Sequence, residues 1–191
     1  YKVLAKGIEF SPGDVILDVG ANEGIFSVMM SKLFPQTRII SLEPIPRTYA
    51  TLLENIKANQ CSNIEPYNIG LGKPGQKTVT MCVSKDYSGG STAFCTFVPA
   101  DHDKVEVGLI SLDESFELYG IERCRFFKVD VEGAEYEILY PSTVLPRVDY
   151  MAMEIHWNKI AEYAGRRPDG LINWISGQTN LIYYFLCNMA E

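Results

Sequence analysis

The sequence predicts an α/β fold in which a mostly parallel sheet is doubly wound, with helices on both of its faces. A short apolar run, Val15–Val19, breaks into a glycine turn that begins a helix near Gly24. Further apolar segments with strand character then alternate with segments whose apolar residues repeat at helical spacing. Such alternation is typical of parallel strands joined by right-handed helical crossovers.

The first half of the chain begins with a strand at Val15–Val19, whose apolar residues are typical of a strand covered on both faces. After it we predict helices at 24–34 and 46–59 and strands at 38–43 and 63–69. Pro46 suits the start of the second helix, because the first helical residue needs no N–H donor. Alternating residues between 70 and 103 predict a β-hairpin insertion around 77–97 or a long loop.

The second half continues the alternation, with strands predicted at 125–131, 150–155 and 180–187 and helical segments at 133–140 and 158–176. No repeat or linker divides the chain, so we predict one domain over residues 1–191. The chain begins with Tyr1 rather than methionine, which leaves open that the domain is incomplete at either terminus.

The composition bears on the kind of partner, on membrane insertion and on the cellular compartment. The net charge is −7 and no basic run occurs, which argues against a nucleic-acid partner. No stretch of eighteen apolar residues is present, so we predict no membrane span. The five cysteines form no C-x-x-C pair. We interpret them as reduced thiols in a reducing compartment, the cytoplasm. Oligomeric state is not predicted.

The turn after the first strand has the features of a nucleoside site. Gly20 and Gly24 remove side chains where a ligand would approach the backbone, and Ala21 and Asn22 lie between them. The second strand ends at Glu43, whose carboxylate is placed to accept hydrogen bonds from a ribose diol. Ligands of open α/β sheets bind at the carboxyl edge, where these residues lie.

The spacing of the glycines distinguishes between nucleosides. A dinucleotide fingerprint is G-x-G-x-x-G, and here Asn22 stands where its second glycine would be. Asp18 would repel a pyrophosphate but suits a cationic amine, such as that of S-adenosylmethionine. We therefore predict S-adenosylmethionine as the cofactor. An NAD-dependent oxidoreductase and a non-catalytic nucleoside-binding domain remain the alternatives.

A second group of polar residues follows later strands. Lys128 and Asp130 share one side of a strand, and the next strand ends at Glu154 and His156. In a doubly wound sheet these strand ends lie beside the first, so we predict that these four residues form the catalytic region.

The residues of this group are predicted to have different roles. We predict that Asp130 is a site residue, which could act as the general base if desolvated. His156 is interpreted either as the general base or as a histidine bonded to its neighbours. We expect Lys128 to be a buried charge that holds Asp130 or Glu154. Asp130, Glu154 and His156 together could ligate a divalent metal, but they form no fixed local motif, so no metal is predicted. Glu132 and Glu135 are interpreted as helix-start residues, where carboxylates favour the helix dipole.

At this point the chain resembles the FkbM-type family of S-adenosylmethionine-dependent methyltransferases. The resemblance covers roughly residues 8–187, and its specific part is the Lys-x-Asp-x-Glu-Gly-Ala-Glu run at 128–135. The other matching segments are 18–24, Glu43-Pro44, Asn55 with Asn59, 68–72, 90–92, 111–113 and 154–156.

The resemblance implies a Rossmann-like class I methyltransferase fold, whose complete sheet would have one further, antiparallel strand. It implies methyl transfer to a small-molecule acceptor, usually a hydroxyl of a sugar or secondary metabolite. We expect Asp18 to engage the methionine amine, directly or through water, and the backbone of 20–22 to hold the amino acid tail. Glu43, beside Pro44, would take the ribose. Adenine would lie near the end of the third strand, at Asn68, Ile69 and Gly70.

Overall fold

The computed structural model describes residues 7–84, 91, 93, 102–157 and 168–188, with the backbone alone at 157 and 180–188. The strands are β1 (Val15–Val19), β2 (Arg38–Leu42), β3 (Ile64–Tyr67), β4 (Gly70–Leu71), β5 (Thr78–Val83), β6 (Asp103–Ile110), β7 (Cys124–Val129), β8 (Val148–Trp157) and β9 (Asn180–Asn188). The helices are α1 (Ile25–Leu33), α2 (Pro46–Ala58), α3 (Leu112–Leu118), α4 (Glu135–Leu139) and α5 (Pro168–Ser176). The first part of the helical segment predicted at 158–176 lies outside the described residues.

The main sheet has the strand order β3-β2-β1-β7-β8-β9, and every neighbouring pair in it is parallel. The predicted α/β, mostly parallel fold is confirmed. The chain moves outward from β1 to β3 and later returns to the other side of β1, so the order reverses between β1 and β7. Val19 lies opposite both Leu42 of β2 and Val129 of β7. The residues that follow these three strands therefore meet at one edge, where such sheets bind ligands.

Both faces of the sheet are buried. Alternate residues of β1 point to opposite faces, and this separates Ile16 from Leu17. Ile16 packs in a cluster with Phe26 of α1 and Phe126 of β7. Leu17 belongs to the larger cluster on the other face, which includes residues of α3, α4 and α5. Burial on both sides explains why β1 is apolar at nearly every position.

A smaller sheet, with the order β4-β6-β5, lies in the insertion. Strand β5 falls inside the predicted hairpin region, but its antiparallel partner is β6, with Thr78 opposite Gly108. Sequence analysis missed β6 and the helix after it, α3. The start of α3 carries a capping box in which Ser111 and Glu114 bond each other's backbone N–H. That S-x-x-E pattern was the available signal.

The two glycines of the turn after β1 are required by packing within the chain. Gly20 has φ +73°, and a Cβ there would overlap the carbonyl oxygen of Asp130. Gly24 has φ +85°, and a Cβ there would overlap the Leu52 side chain of α2. The sequence analysis related both glycines to a ligand and did not predict this packing. They let β7 and α2 approach the turn.

The cysteines only partly follow the prediction. Cys61 and Cys124 are free and buried, as expected of small apolar residues. Cys82 instead takes part in a disulfide, so the prediction of reduced thiols throughout is wrong at this position. Disulfide pairing depends on which cysteines the fold brings together, and the sequence spacing does not show that. Within the described residues, no helix has the length and apolarity needed to cross a membrane.

Gly20→Ala should destabilise the protein more than Gly13→Ala. Both positions have positive φ, but nothing lies within 4 Å of a Cβ at Gly13. We expect about 1–2 kcal/mol of backbone strain for Gly13→Ala. Gly20→Ala should lose a further ~1–3 kcal/mol, because its methyl group meets main-chain atoms. Urea unfolding of both variants measures the difference, and equal losses would contradict the steric account.

Candidate active site

A cavity opens at the carboxyl ends of β1, β2 and β7. Its polar wall is formed by Asn22, Glu43, Asp130 and Glu132, and its apolar wall includes Val79, Met81 and Leu109 of the smaller sheet. Of the residues predicted to bind the cofactor, the lining includes Gly20, Asn22, Glu43, Pro44 and Gly70. Ala21, Gly24 and Ile69 are not part of this lining. The insertion thus covers the sheet edge and gives the cavity its apolar side.

Glu43 is a buried carboxylate at the cavity wall, with 4% of its surface exposed. Its Oε2 accepts a hydrogen bond from the Asn22 N–H and its Oε1 accepts one from the Ile45 N–H, both at 2.9 Å. Burial raises the pKa of Glu43 to about 7, against the lowering effect of these backbone donors and of Lys128. A carboxylate has about four acceptor positions, so two remain for a ligand.

Two further polar atoms at the wall lack hydrogen-bond partners within the described part of the chain. The Asn22 Oδ1 is buried without a hydrogen-bond partner among the described residues, and so is the Ser91 Oγ. Ser91 is 4% exposed, and both residues line the cavity. A buried polar atom without a hydrogen bond is costly, and such atoms at a cavity wall commonly meet a ligand or water. Gly90 and Thr92, which flank Ser91 in the matching segment, lie outside the described residues.

Asn68 supports the site from behind the wall. Its side-chain Nδ2 donates to the carbonyl oxygens of Glu43 at 2.9 Å and Pro44 at 3.0 Å. Asn68 does not line the cavity. Its contacts instead fix the loop that carries Glu43.

Asp18 is completely buried and lies behind the cavity lining. Its Oδ2 accepts a hydrogen bond of 2.6 Å from the Ser27 hydroxyl, and its Oδ1 lies 3.1 Å from the Lys128 Nζ. Sequence analysis predicted a ligand amine beside Asp18, whereas in the structure the Lys128 ammonium lies beside it. Asp18 is thus a partner of Lys128 in the arrangement observed.

Lys128 connects the ends of β1 and β7. Its Nζ donates to the Gly20 carbonyl oxygen at 2.9 Å and lies 3.7 Å from the Asp130 carboxylate. The expected pairing with Asp130 is present, and Asp18 is an additional partner. Glu154 instead lies beside His156, 3.7 Å from its Nε2. Lys128 therefore holds the glycine turn and Asp130 in place together.

His156 is buried among carboxylates, with 4% of its surface exposed. Its Nδ1 is 2.8 Å from the Glu135 Oε1, and its Nε2 is 3.4 Å from the Glu132 Oε2. Burial lowers the pKa of His156, but the hydrogen bond and charge of Glu135, with Glu132 and Asp130, raise it to about 9. The ring is then protonated at neutral pH. Of the two interpretations of His156, these contacts match a histidine bonded to its neighbours.

Glu132 and Glu135 are the site residues that sequence analysis missed. Glu132 has φ +51°, precedes α4 and lines the cavity, whereas Glu135 is completely buried against His156. Burial raises the pKa of Glu132 to about 7, with His156 opposing and the neighbouring carboxylates adding to the rise. The available signal was the Asp-x-Glu-Gly segment. Its acidic residues directly follow β7, at the same sheet edge as the predicted site.

The sequence model of a protein family, described as the methyltransferase FkbM domain, matches residues 18–181 of this chain. The chain belongs to the FkbM methyltransferase family. The resemblance seen in the sequence is thereby confirmed. Its most specific segment, 128–135, supplies Lys128, Asp130, Glu132 and Glu135, all of which take part in the contacts described above.

Several relatives of this chain are methyltransferases by name. Methyltransferase 1 of Beauveria bassiana is 27% identical over 147 residues, which cover 68% of this chain and 59% of that protein. Methyltransferase sdnD of Sordaria araneosa is 31% identical over 156 residues, covering 65% and 58%. The 31-O-demethyl-FK506 methyltransferase FkbM of Streptomyces tacrolimicus is 24% identical over 180 residues, covering 80% and 69%. The chain thus spans about three-fifths of the length of the first two.

Lys128→Met should strongly destabilise the FkbM domain. The change removes the cation between Asp18, Asp130 and the Gly20 carbonyl, leaving buried negative charge uncompensated. Breaking a buried pair in this way costs about 3–5 kcal/mol. Chemical denaturation checks the loss. Lys77→Met is the matched control, because Lys77 and its partner Glu114 lie on the surface, and it should change little. A Lys128→Met protein as stable as this control would contradict the structural role.

Proposed function

We propose that this domain transfers a methyl group from S-adenosylmethionine to a hydroxyl group of a sugar or secondary metabolite. Membership of the FkbM family supports methyl transfer. The observation that carries the cofactor assignment is the buried Glu43 carboxylate at the end of β2, which retains acceptor positions at the cavity wall. A carboxylate in this position of the fold suits a ribose diol.

The other wall residues fit the same cofactor. S-adenosylmethionine carries amine and hydroxyl donors suited to the Asn22 Oδ1 and Ser91 Oγ, which have no hydrogen-bond partner among the residues described. Val79, Met81 and Leu109 offer an apolar surface suited to a flat base or a thioether chain. The cofactor, when bound, supplies a methyl group on a sulfonium, which is a strong electrophile.

NAD fits this wall less well. Its pyrophosphate carries two negative charges, and the wall already holds the carboxylates of Glu43, Asp130 and Glu132. Like charges at close range in a partly buried site repel strongly. Asn22 also has a side chain where the dinucleotide fingerprint requires a glycine.

An acceptor hydroxyl has to lose its proton before or during methyl transfer. Asp130 and Glu132 line the cavity, so they are placed nearer to an acceptor than the buried His156. The protonated His156 instead helps to orient Glu132. Oxygen as the receiving atom is supported by the name of the Streptomyces tacrolimicus relative, a 31-O-demethyl-FK506 methyltransferase. The net charge of −7 supports a small molecule over a nucleic acid.

The cytoplasm stays a prediction for the compartment. The disulfide at Cys82 weighs against it, because cytosolic thiols are generally kept reduced.

The first experiment is calorimetric titration with S-adenosylhomocysteine and, separately, with NAD. We expect binding of S-adenosylhomocysteine alone. Glu43→Ala should weaken it about tenfold or more, because charge-assisted hydrogen bonds to the ribose are lost. Glu54→Ala, an exposed glutamate of α2, is the control and should bind normally. Binding of NAD alone would exclude the proposal, and binding of neither would favour a non-catalytic domain.

Cofactor affinity should rise with pH through about 7. The Glu43 pKa is raised to about 7, so at lower pH the carboxyl is protonated and must ionise before it accepts two ribose hydroxyls. Affinity should therefore fall by about tenfold per pH unit below the pKa and level off above it. Titrations with S-adenosylhomocysteine between pH 5.5 and 8.5 measure this. Glu43→Gln should remove the slope; an unchanged slope in that variant would assign it to another group.

A further inference from the structure

We propose that Asp130, Glu132 and His156 form a binding site for a divalent metal ion at the wall of the cavity. Neither the family match nor the proposed cofactor assigns such a site, and the sequence spacing predicted none. The inference depends on how the fold places these three side chains around one point.

The ligand atoms lie at the right separation. One carboxylate oxygen each from Asp130 and Glu132 and one ring nitrogen of His156 lie within 4.8 Å of one another. Two atoms bound to the same ion at about 2.0–2.4 Å cannot be more than about 4.0–4.8 Å apart. Small side-chain rotations would therefore bring all three onto one ion.

The histidine is held so that one nitrogen is directed at the carboxylates. Glu135 is completely buried and holds the Nδ1 of His156 at 2.8 Å. The Nε2 has no hydrogen-bond partner among the described residues, and the nearest carboxylate oxygens are those of Glu132 at 3.4 Å and Glu154 at 3.7 Å. A carboxylate that orients a histidine through one nitrogen, leaving the other for the ion, is common in metal sites. The ion would displace the Nε2 proton of His156 on binding, because a metal-bound imidazole nitrogen is deprotonated. The buried imidazole distinguishes this site from a surface cluster of acids.

The site is also accessible. Asp130 and Glu132 line the cavity, which provides a path of entry and leaves coordination positions that protein atoms do not fill. Imidazole with carboxylates favours a transition metal such as Mn²⁺, Fe²⁺ or Zn²⁺, whereas Mg²⁺ prefers oxygen ligands throughout. An ion there could bind the acceptor hydroxyl and acidify it. That role rests on the proposed methyl transfer, but binding of the ion does not.

The test is Mn²⁺ binding to the chelator-stripped protein, followed by electron paramagnetic resonance without cofactor or acceptor. We expect one equivalent to bind and Zn²⁺ to displace it. Glu132→Gln and His156→Gln should each weaken binding at least tenfold, and Glu135→Gln about 10–100-fold through the histidine. Glu137→Gln removes an exposed carboxylate of the same helix and should bind Mn²⁺ as the unchanged protein does.

Absence of binding would overturn the proposal, as would binding that Glu132→Gln leaves intact. Circular dichroism confirms that each variant is folded. Glu132 is only partly buried, so its variant keeps the test decisive if His156→Gln does not fold. Nitrogen NMR gives a second measurement, since the chain has two histidines and Zn²⁺ should shift the Nε2 signal of His156 alone. These measurements use no methyl donor, so their failure is distinguishable from failure of the proposed methyl transfer.

Discussion

The arrangement of the candidate site depends on one buried ammonium group. The Lys128 Nζ contacts the Gly20 carbonyl, Asp18 and Asp130, which belong to the ends of two neighbouring parallel strands. A charge so deeply buried is tolerated only when it is paired and hydrogen-bonded. These contacts hold the turn after β1 against the end of β7, at the place where the strand order reverses. The wall residues that follow β1, such as Asn22, and those that follow β7, such as Asp130, both begin at this junction. The junction therefore sets their position relative to one another.

Acidic groups dominate the chemistry of the wall. Burial keeps the pKa values of Glu43 and Glu132 near 7, while Glu135 and its neighbours raise that of His156 to about 9. The wall therefore favours ligands that donate hydrogen bonds or carry positive charge, and it disfavours phosphates. This selectivity is consistent with the proposed sulfonium cofactor bearing an amine, and Asp130 and Glu132 are the carboxylates of the proposed metal site. The apolar side of the cavity comes from a different source, the insertion that carries β5 and β6.

Some elements were predictable because their signals are local. The apolar run of β1, the proline at the start of α2 and the glycine turn each depend on residues within a few positions of one another. Strand β6 was missed although Val105, Val107 and Leu109 recur at every second position, as in a half-buried strand. Its partner β5 ends about twenty residues earlier, so the pairing itself is not visible in the local sequence. The glycines were correctly placed in the turn, but the sequence did not show which distant atoms pack against them. Gly20 and Gly24 clear main-chain and side-chain atoms from elsewhere in the fold.

The sequence by itself determined the α/β class, the family and the positions of Glu43 and Asp130 at strand ends. It could do so because hydrophobic period, turn chemistry and parallel strand topology follow from local order along the chain. Only the tertiary structure decided which charges meet. Lys128 reaches Asp18 across 110 positions of sequence, and His156 meets Glu132 rather than acting alone. Burial and charge at close range then set the pKa values, and neither exists until strands distant in sequence have packed together.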